Sequence, residues 1–257
     1  MTDLQGNEPP LTSWPARVPA SRLGVVVVRD LVTAIVKGDV LPGATLPTEA
    51  ALSASFGVSR TVIRESVKRV EEKGLVAIEQ GRGTTVRPPG SWNVLDPIVL
   101  SVMVENDDSL GVLDDLAVVR GSLEASMAAL TARLRDDDQL ARLGDVLARM
   151  EAALHDEEAF NEADAEFHVL VMEASQNRLA DNITRILFRR ARESRRFRGA
   201  STDDELRLSY EEHRLIYEAI RARNSPSAEI AMRTHVQSAW ERRRFRDHRP
   251  DSSLDES

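Results

Sequence analysis

The sequence contains no cysteine. That excludes disulfides, thiolate zinc sites and cysteine nucleophiles, and it suits a reducing compartment, the cytoplasm. No apolar run approaches the roughly 20 residues that a membrane helix requires, so no membrane partner is expected. Residues 1–20 carry Asp3 and Glu8, no apolar block, and Pro9, Pro10, Pro15 and Pro19. They read as a flexible arm rather than a secretory signal. A phosphate-binding glycine loop, a nucleophile triad and an internal repeat are all missing. Histidine is scarce, with only His155, His168, His213, His235 and His248.

What is present suits an ordered protein of one large or two smaller domains: 257 residues, 42% hydrophobic and 30% charged. The net charge of −8 is unevenly spread. Residues 1–90 hold 11 Lys/Arg against 9 Asp/Glu, whereas residues 91–257 hold 23 against 33. A mildly basic head on an acidic body fits a protein that meets nucleic acid with one end.

The sharpest break is Arg87, Pro88, Pro89, Gly90, Ser91, which stops helix and strand alike. The expected division is an arm over 1–20, a head over 21–87, a linker over 88–93, a helical body over 94–248 and a disordered polar tail over 249–257. In the head, Leu23, Val27, Leu31 and Ile35 have helical spacing across 22–37. The β-branched run 25–28 would allow a strand, but the helical period continues past it. Gly38, Pro42 and Gly43 make a turn. Thr48 caps a helix to Phe56, and Ser59 caps another over 60–73, which Gly74 ends. Strands over 75–80 and 84–87 are joined by Gly81, Arg82 and Gly83. In the body, helical stretches lie near 94–105, 109–134, 137–154, 157–175, 178–197, 203–222 and 225–246. The expected fold is mostly α: a winged helix-turn-helix of three helices plus a β-hairpin wing, then an all-α antiparallel bundle of about seven helices.

Helix, turn, capped helix and glycine-tipped hairpin, in that order, place the second helix of the pair in a DNA major groove. Arg60, Arg64 and Lys68 share one face of it, while Val62, Ile63, Val67 and Val70 lie largely on another. Arginine there reaches guanine edges or phosphates, and Thr61 a phosphate or a thymine methyl. Arg82, between two glycines, can approach a minor groove or backbone. Thr48 and Ser59, at the two helix starts, complete the candidate DNA-binding set. Alone, three basic residues also fit a solvated helix face; the cap, turn and wing favour DNA. These strings, LPTEAAL over 46–52, FGVSRTVIRE over 56–65, KGLV over 73–76 and GRG over 81–83, resemble the N-terminal domain of the GntR family of transcription regulators. One departure is Ala50, where the family often has a DNA-contacting arginine.

In the body, Asp164 and His168 are four apart on one helix and point the same way. His213 and His235 sit mid-helix among apolar neighbours. Three helices could join one carboxylate and three imidazoles, a set suited to zinc, nickel, manganese, cobalt or iron. Each alone is equally a packing or surface residue, and His155 and His248 are read that way. The body resembles the helical ligand-binding domain of the FadR-type subfamily, through DAEFH over 164–168 with Ala174, Ser175 and Asn177, through Glu212, His213, Ile216, Ala219 and Ile220, and through Ala231, Met232 and His235. That resemblance implies a divalent metal, zinc foremost, held by Asp164, His168, His213 and His235. Val119, Arg120, Leu123 and Glu124 match its first long helix, where the arginine often faces an effector carboxylate. The bland alternative for Arg120 is an ion pair, with Glu124 among the candidates. WNVLD over 92–96 and FNEAD over 160–164 resemble the sugar-acid, galactonate-responsive branch.

The expected function is a homodimeric repressor, not an enzyme, released from a near-palindromic operator by a small hydroxylated carboxylate such as a sugar acid. Two alternatives remain at this point: a metal-dependent hydrolase using the same histidines, and a regulator answering to acyl-CoA. A hydrolase needs a general base beside the metal-bound water. Glu166, two residues from both Asp164 and His168, points elsewhere on the helix.

Overall fold

A computed structural model describes residues 21–79, 81–107, 111–193 and 201–244. The arm, the tail and His248 lie outside them. The chain divides into two compact units, Met1–Trp92 and Asn93–Ser257.

In the first unit, α1 (Ser21–Val36) buries Val27, Val28, Leu31, Val32 and Ile35, while Val25 and Val26 are exposed. The valine run is thus helical because two of its members fall on the buried face, which outweighs its β preference. Next, α2 (Glu49–Phe56) starts where Thr48 Oγ1 accepts from the Ala51 amide at 3.3 Å, and it stops at Gly57, whose φ is 64°. Ser59 caps α3 (Arg60–Glu72) by accepting from the Val62 amide at 3.4 Å. Such caps each contribute about 1 kcal/mol. Ile63, Ser66, Val67 and Val70 form the buried face of α3, which packs on α1 and α2.

The wing is an antiparallel pair, β1 (Val76–Glu79) and β2 (Gly83–Val86), with Val76 opposite Val86 and Glu79 opposite Gly83. Gly83 therefore belongs to the strand and not to the turn alone. A third short segment joins it, unforeseen from the sequence. Thr45 bridges to Thr85, and the Leu46 amide donates to the Thr84 carbonyl at 2.8 Å. The segment expected as a linker folds onto the same unit. Pro89–Ser91 is a single 3-10 turn, Ser91 Oγ donates to the Gly74 carbonyl at 3.1 Å, and the Trp92 indole donates to the Arg87 carbonyl at 3.1 Å.

The second unit has seven described helices: α4 (Pro97–Glu105), α5 (Gly111–Leu134), α6 (Asp137–Ala152), α7 (Glu157–Ala174), α8 (Arg178–Glu193), α9 (Asp203–Arg221) and α10 (Ser225–Arg244). Asp136 with Gln139, and Thr202 with Glu205, form reciprocal capping boxes at the starts of α6 and α9. α5 is the central helix and packs on α7, α8, α9 and α10. Gly121, Ala125, Ala128 and Ala132 are buried along it. Small residues let α10 approach, and a Cβ built at Gly121 would already lie 3.8 Å from Val236. The core around Leu143, Met150, Phe160, Phe167, Ile216, Ile220 and Met232 is fully enclosed. It fixes α6, α7, α9 and α10 against one another, and three of these carry the cluster described next. No described helix is long and apolar enough to cross a membrane.

Candidate functional site

Four buried side chains converge in the helical unit. Asp164 and His168 come from adjacent turns of α7, His213 from α9 and His235 from α10, and one donor atom of each lies within 4.8 Å of the others. His168 Nε2 and His235 Nε2 are 3.2 Å apart, and His213 Nε2 is 3.4 Å from Asp164 Oδ1.

Each imidazole is held from behind by an oxygen. His213 Nδ1 lies 2.7 Å from the Ser209 carbonyl, one turn back on α9. His235 Nδ1 lies 2.8 Å from Glu212 Oε2. His168 Nδ1 lies 2.7 Å from Glu124 Oε2 on α5. A carbonyl or an ionised carboxylate only accepts, so the proton of each neutral ring sits on Nδ1 and each Nε2 turns a lone pair inward. His213 Nε2 is fully buried and has no hydrogen-bond partner. An orphaned buried polar atom costs about 1–3 kcal/mol. Three nitrogen lone pairs and one carboxylate oxygen directed at one another make a donor set that fits a divalent cation.

The charges agree with that geometry. Burial opposes ionisation of Glu124, but Arg120 and His168 outweigh it and hold the carboxyl down at about 2. Burial likewise opposes ionisation of Glu212, but Arg242 and His235 hold it at about 2. Arg242 grips Glu212 with two parallel bonds of 2.7 and 2.8 Å. Asp164 is buried too, yet the three histidines and Arg243 keep it well below the usual carboxylate range. Burial, with His235 adding to it, pushes His213 well below its ordinary value. Burial also lowers His235, against the pull of Glu212.

Arg120 is buried on α5 and donates from Nε to Glu124 Oε1 at 2.9 Å, so the ion pair weighed from the sequence is present. The same residue also lines a cavity of about 30 Å³ with Asp164, His168, His235, Trp240 and Arg243. That is enough room for ordered water. The sequence pattern gave no sign of Glu124 as an anchor of His168, of Glu212 as the anchor of His235, or of Arg242 and Arg243 at the end of α10. A carboxylate directly before His213 was visible, but which histidine it serves depends on helix packing. His155 sits at the surface beside Asp203. Glu166 is at the surface, paired with Arg149 at 2.7 Å.

In the first unit, α3 exposes Arg60, Thr61, Arg64 and Lys68 together. The hydroxyls of Thr48 and Ser59 accept from backbone amides and keep their own protons to donate. Arg82 is exposed at the wing turn, 3.5 Å from Glu79. Between α3 and the wing runs a groove of about 830 Å³ bordered by Glu49, Arg64, Lys68 and Arg82. Arg64 is not alone on this face. Its Nε and Nη2 donate to Glu49 Oε1 and Oε2 at 3.1 and 3.0 Å.

A winged helix-turn-helix joined to a helical unit with a buried donor cluster defines a class, the DNA-binding regulator with a separate sensory domain. Family models divide the chain in the same way: "Bacterial regulatory proteins, gntR family" matches residues 23–86 and "FCD domain" matches residues 115–238. The galactonate operon transcriptional repressor of Escherichia coli is 32% identical over 84% of this chain and 94% of its own length. The HTH-type transcriptional regulator LutR of Bacillus subtilis is 32% identical over 79% and 92%. The HTH-type transcriptional repressor NanR of Cronobacter sakazakii is 30% identical over 85% and 84%. The solved structure of Lar, described as controlling expression of the Listeria monocytogenes agr system, shares the fold with a TM-score of 0.54 at 16% identity, over 88% of this chain and 99% of Lar. The chain belongs to the GntR family of bacterial transcription regulators, with a C-terminal FCD domain.

Proposed function

We propose that this regulator is a cytoplasmic, homodimeric repressor that leaves its operator when a small hydroxylated carboxylate enters the FCD domain. The observation that carries the reading is the cluster of three histidines with their Nδ1 atoms held by oxygens and their Nε2 atoms turned towards one another and Asp164. Asp164, His168, His213 and His235 would hold one divalent metal, zinc foremost. The metal would supply a Lewis-acidic position for a carboxylate or α-hydroxyl oxygen. Arg120, buried at the cavity wall, offers a planar donor for the same carboxylate, a geometry that lysine does not reproduce. A relative named for the galactonate operon supports a sugar acid as the effector. A cavity of about 30 Å³ is too small for such a molecule, so binding requires its walls to part. That need supplies the coupling, since an effector shifts DNA affinity only by preferring one arrangement of the protein.

On the DNA side, α3 enters the major groove with Arg60, Thr61, Arg64 and Lys68. Arg82, Thr48 and Ser59 flank it, and two copies of the chain read a near-palindrome. The experiment is operator release by the full-length protein against a panel of sugar acids, with neutral sugars and acyl-CoA as controls. Release by sugar acids, abolished in Arg120→Ala and His213→Ala while operator binding persists, is the expected result. Release by acyl-CoA alone, or an unchanged response in both variants, overturns the pocket.

A further inference from the structure

Arg64 and Glu49 come from different helices, 15 residues apart in sequence, and meet in a two-pronged pair on the exposed DNA-facing side. The Nε edge of the guanidinium is fully used by the carboxylate. What remains for another partner is the opposite edge, Nη1 and the second proton of Nη2, still a parallel pair of donors. That edge matches guanine O6 and N7 in the major groove. The pair also changes what Arg64 can grip. Arg64 stays a full cation, but with a carboxylate at 3.0 Å the pair as a whole is nearly neutral, so its attraction to phosphate is weakened while the remaining hydrogen-bond donors persist. Arg60 and Lys68 are exposed on the same helix, and the Arg60 charge helps Arg64 to hold the Glu49 carboxyl down.

We propose that Glu49 is a specificity-determining residue: it holds Arg64 as a reader of guanine in a G·C pair and withholds it from the phosphate backbone. This rests on the reading that α3 enters the major groove. Glu49 acts as a positioning residue through Arg64. A bidentate arginine–guanine pair discriminates by about 5- to 150-fold against the wrong base. Without Glu49 the side chain is a freely rotating cation, attracted to the nearest phosphate whatever the sequence.

The test uses full-length protein and an operator selected by it from a randomised duplex pool. For the parent protein, one G·C position in each half-site should weaken binding by about 5- to 150-fold on change to A·T. In Arg64→Ala that discrimination should vanish, with little change in the slope of log affinity against log salt. In Glu49→Gln discrimination at the same position should fall below about 3-fold. Binding to unrelated DNA should tighten, and the salt slope should steepen by about 0.9, the signature of one more neutralised phosphate. If Glu49 only props up α2, Glu49→Gln will lower the Tm and weaken all sequences alike, with slope and discrimination unchanged, and the inference falls. If Arg64→Ala binds every sequence as the parent does, the assignment of α3 itself falls.

Discussion

His168 and His235 face each other with their Nε2 atoms 3.2 Å apart, each backed by a different carboxylate, Glu124 and Glu212. With the ring protons on the far nitrogens, which face the carboxylates, this approach sets lone pair against lone pair. A cation between them removes the conflict. Carefully purified protein should contain about one divalent metal per chain by elemental analysis. Added zinc, nickel or manganese should raise the Tm of stripped protein, since a ligand at 100 times its Kd contributes about 2.7 kcal/mol. His168→Ala and His235→Ala should abolish both effects. Absence of stoichiometric metal, together with no thermal shift, would defeat the metal centre.

The anchors behind the rings can be tested separately. Glu212 fixes the orientation of His235 and is itself fixed by Arg242. Removing such a partner typically weakens metal binding by about 10- to 100-fold. Glu212→Ala should do so in a chelator competition, and Arg242→Ala should do so less. Affinities equal to the parent's in both would show that His235 needs no anchor.

Acid should destabilise the metal-free FCD domain in two windows. His213 and His235 have folded values below the unfolded 6.5, so below that pH the unfolded chain takes up protons that the folded chain refuses. Stability falls as pH drops from about 6.5. Glu124 and Glu212 have folded values of about 2 against 4.5 unfolded, so their contribution is complete above 4.5 and is lost as pH falls from there towards 2. Denaturant titrations across pH 8 to 3 should show a first decline near 6.5, reduced in His213→Gln, and a second below 4.5. A flat profile between pH 7 and 5 would contradict the buried neutral histidines.

Much of this architecture is legible in the residue pattern, because helical periods and caps are local. The seven body helices follow from apolar spacing and the short breaks between stretches. What the pattern hides is non-local. The approach of Glu124 to His168 spans 44 residues and depends on how α5 packs on α7. Thr45 gives no strand signal, since it is paired by β2 rather than by its own neighbours. Asp164 and His168 share a helix face by spacing alone, but their meeting with His213 and His235 depends on how α7, α9 and α10 pack.

Arg60 and Lys68 should act as grips on the DNA backbone. Arg60→Ala should weaken operator binding by roughly 1–3 kcal/mol if it also touches a base, and Lys68→Ala should weaken all DNA alike. Each substitution should reduce the salt slope by about 0.9 for every phosphate it leaves unneutralised. Titrations from low to moderate salt would check this, and slopes identical to the parent's would place neither side chain at the backbone.

The turn Pro89–Ser91 has a practical consequence for dividing the molecule. Ser91 covers the Gly74 carbonyl at the end of α3, and the Trp92 ring is tied to Arg87 beside the wing. A fragment ending before Pro88 would strip the DNA-binding domain of its own cover, leaving the Gly74 carbonyl just past α3 without its Ser91 donor. The seam of this chain therefore falls after Trp92, beyond the prolines, and a DNA-binding fragment should be cut there to keep its fold.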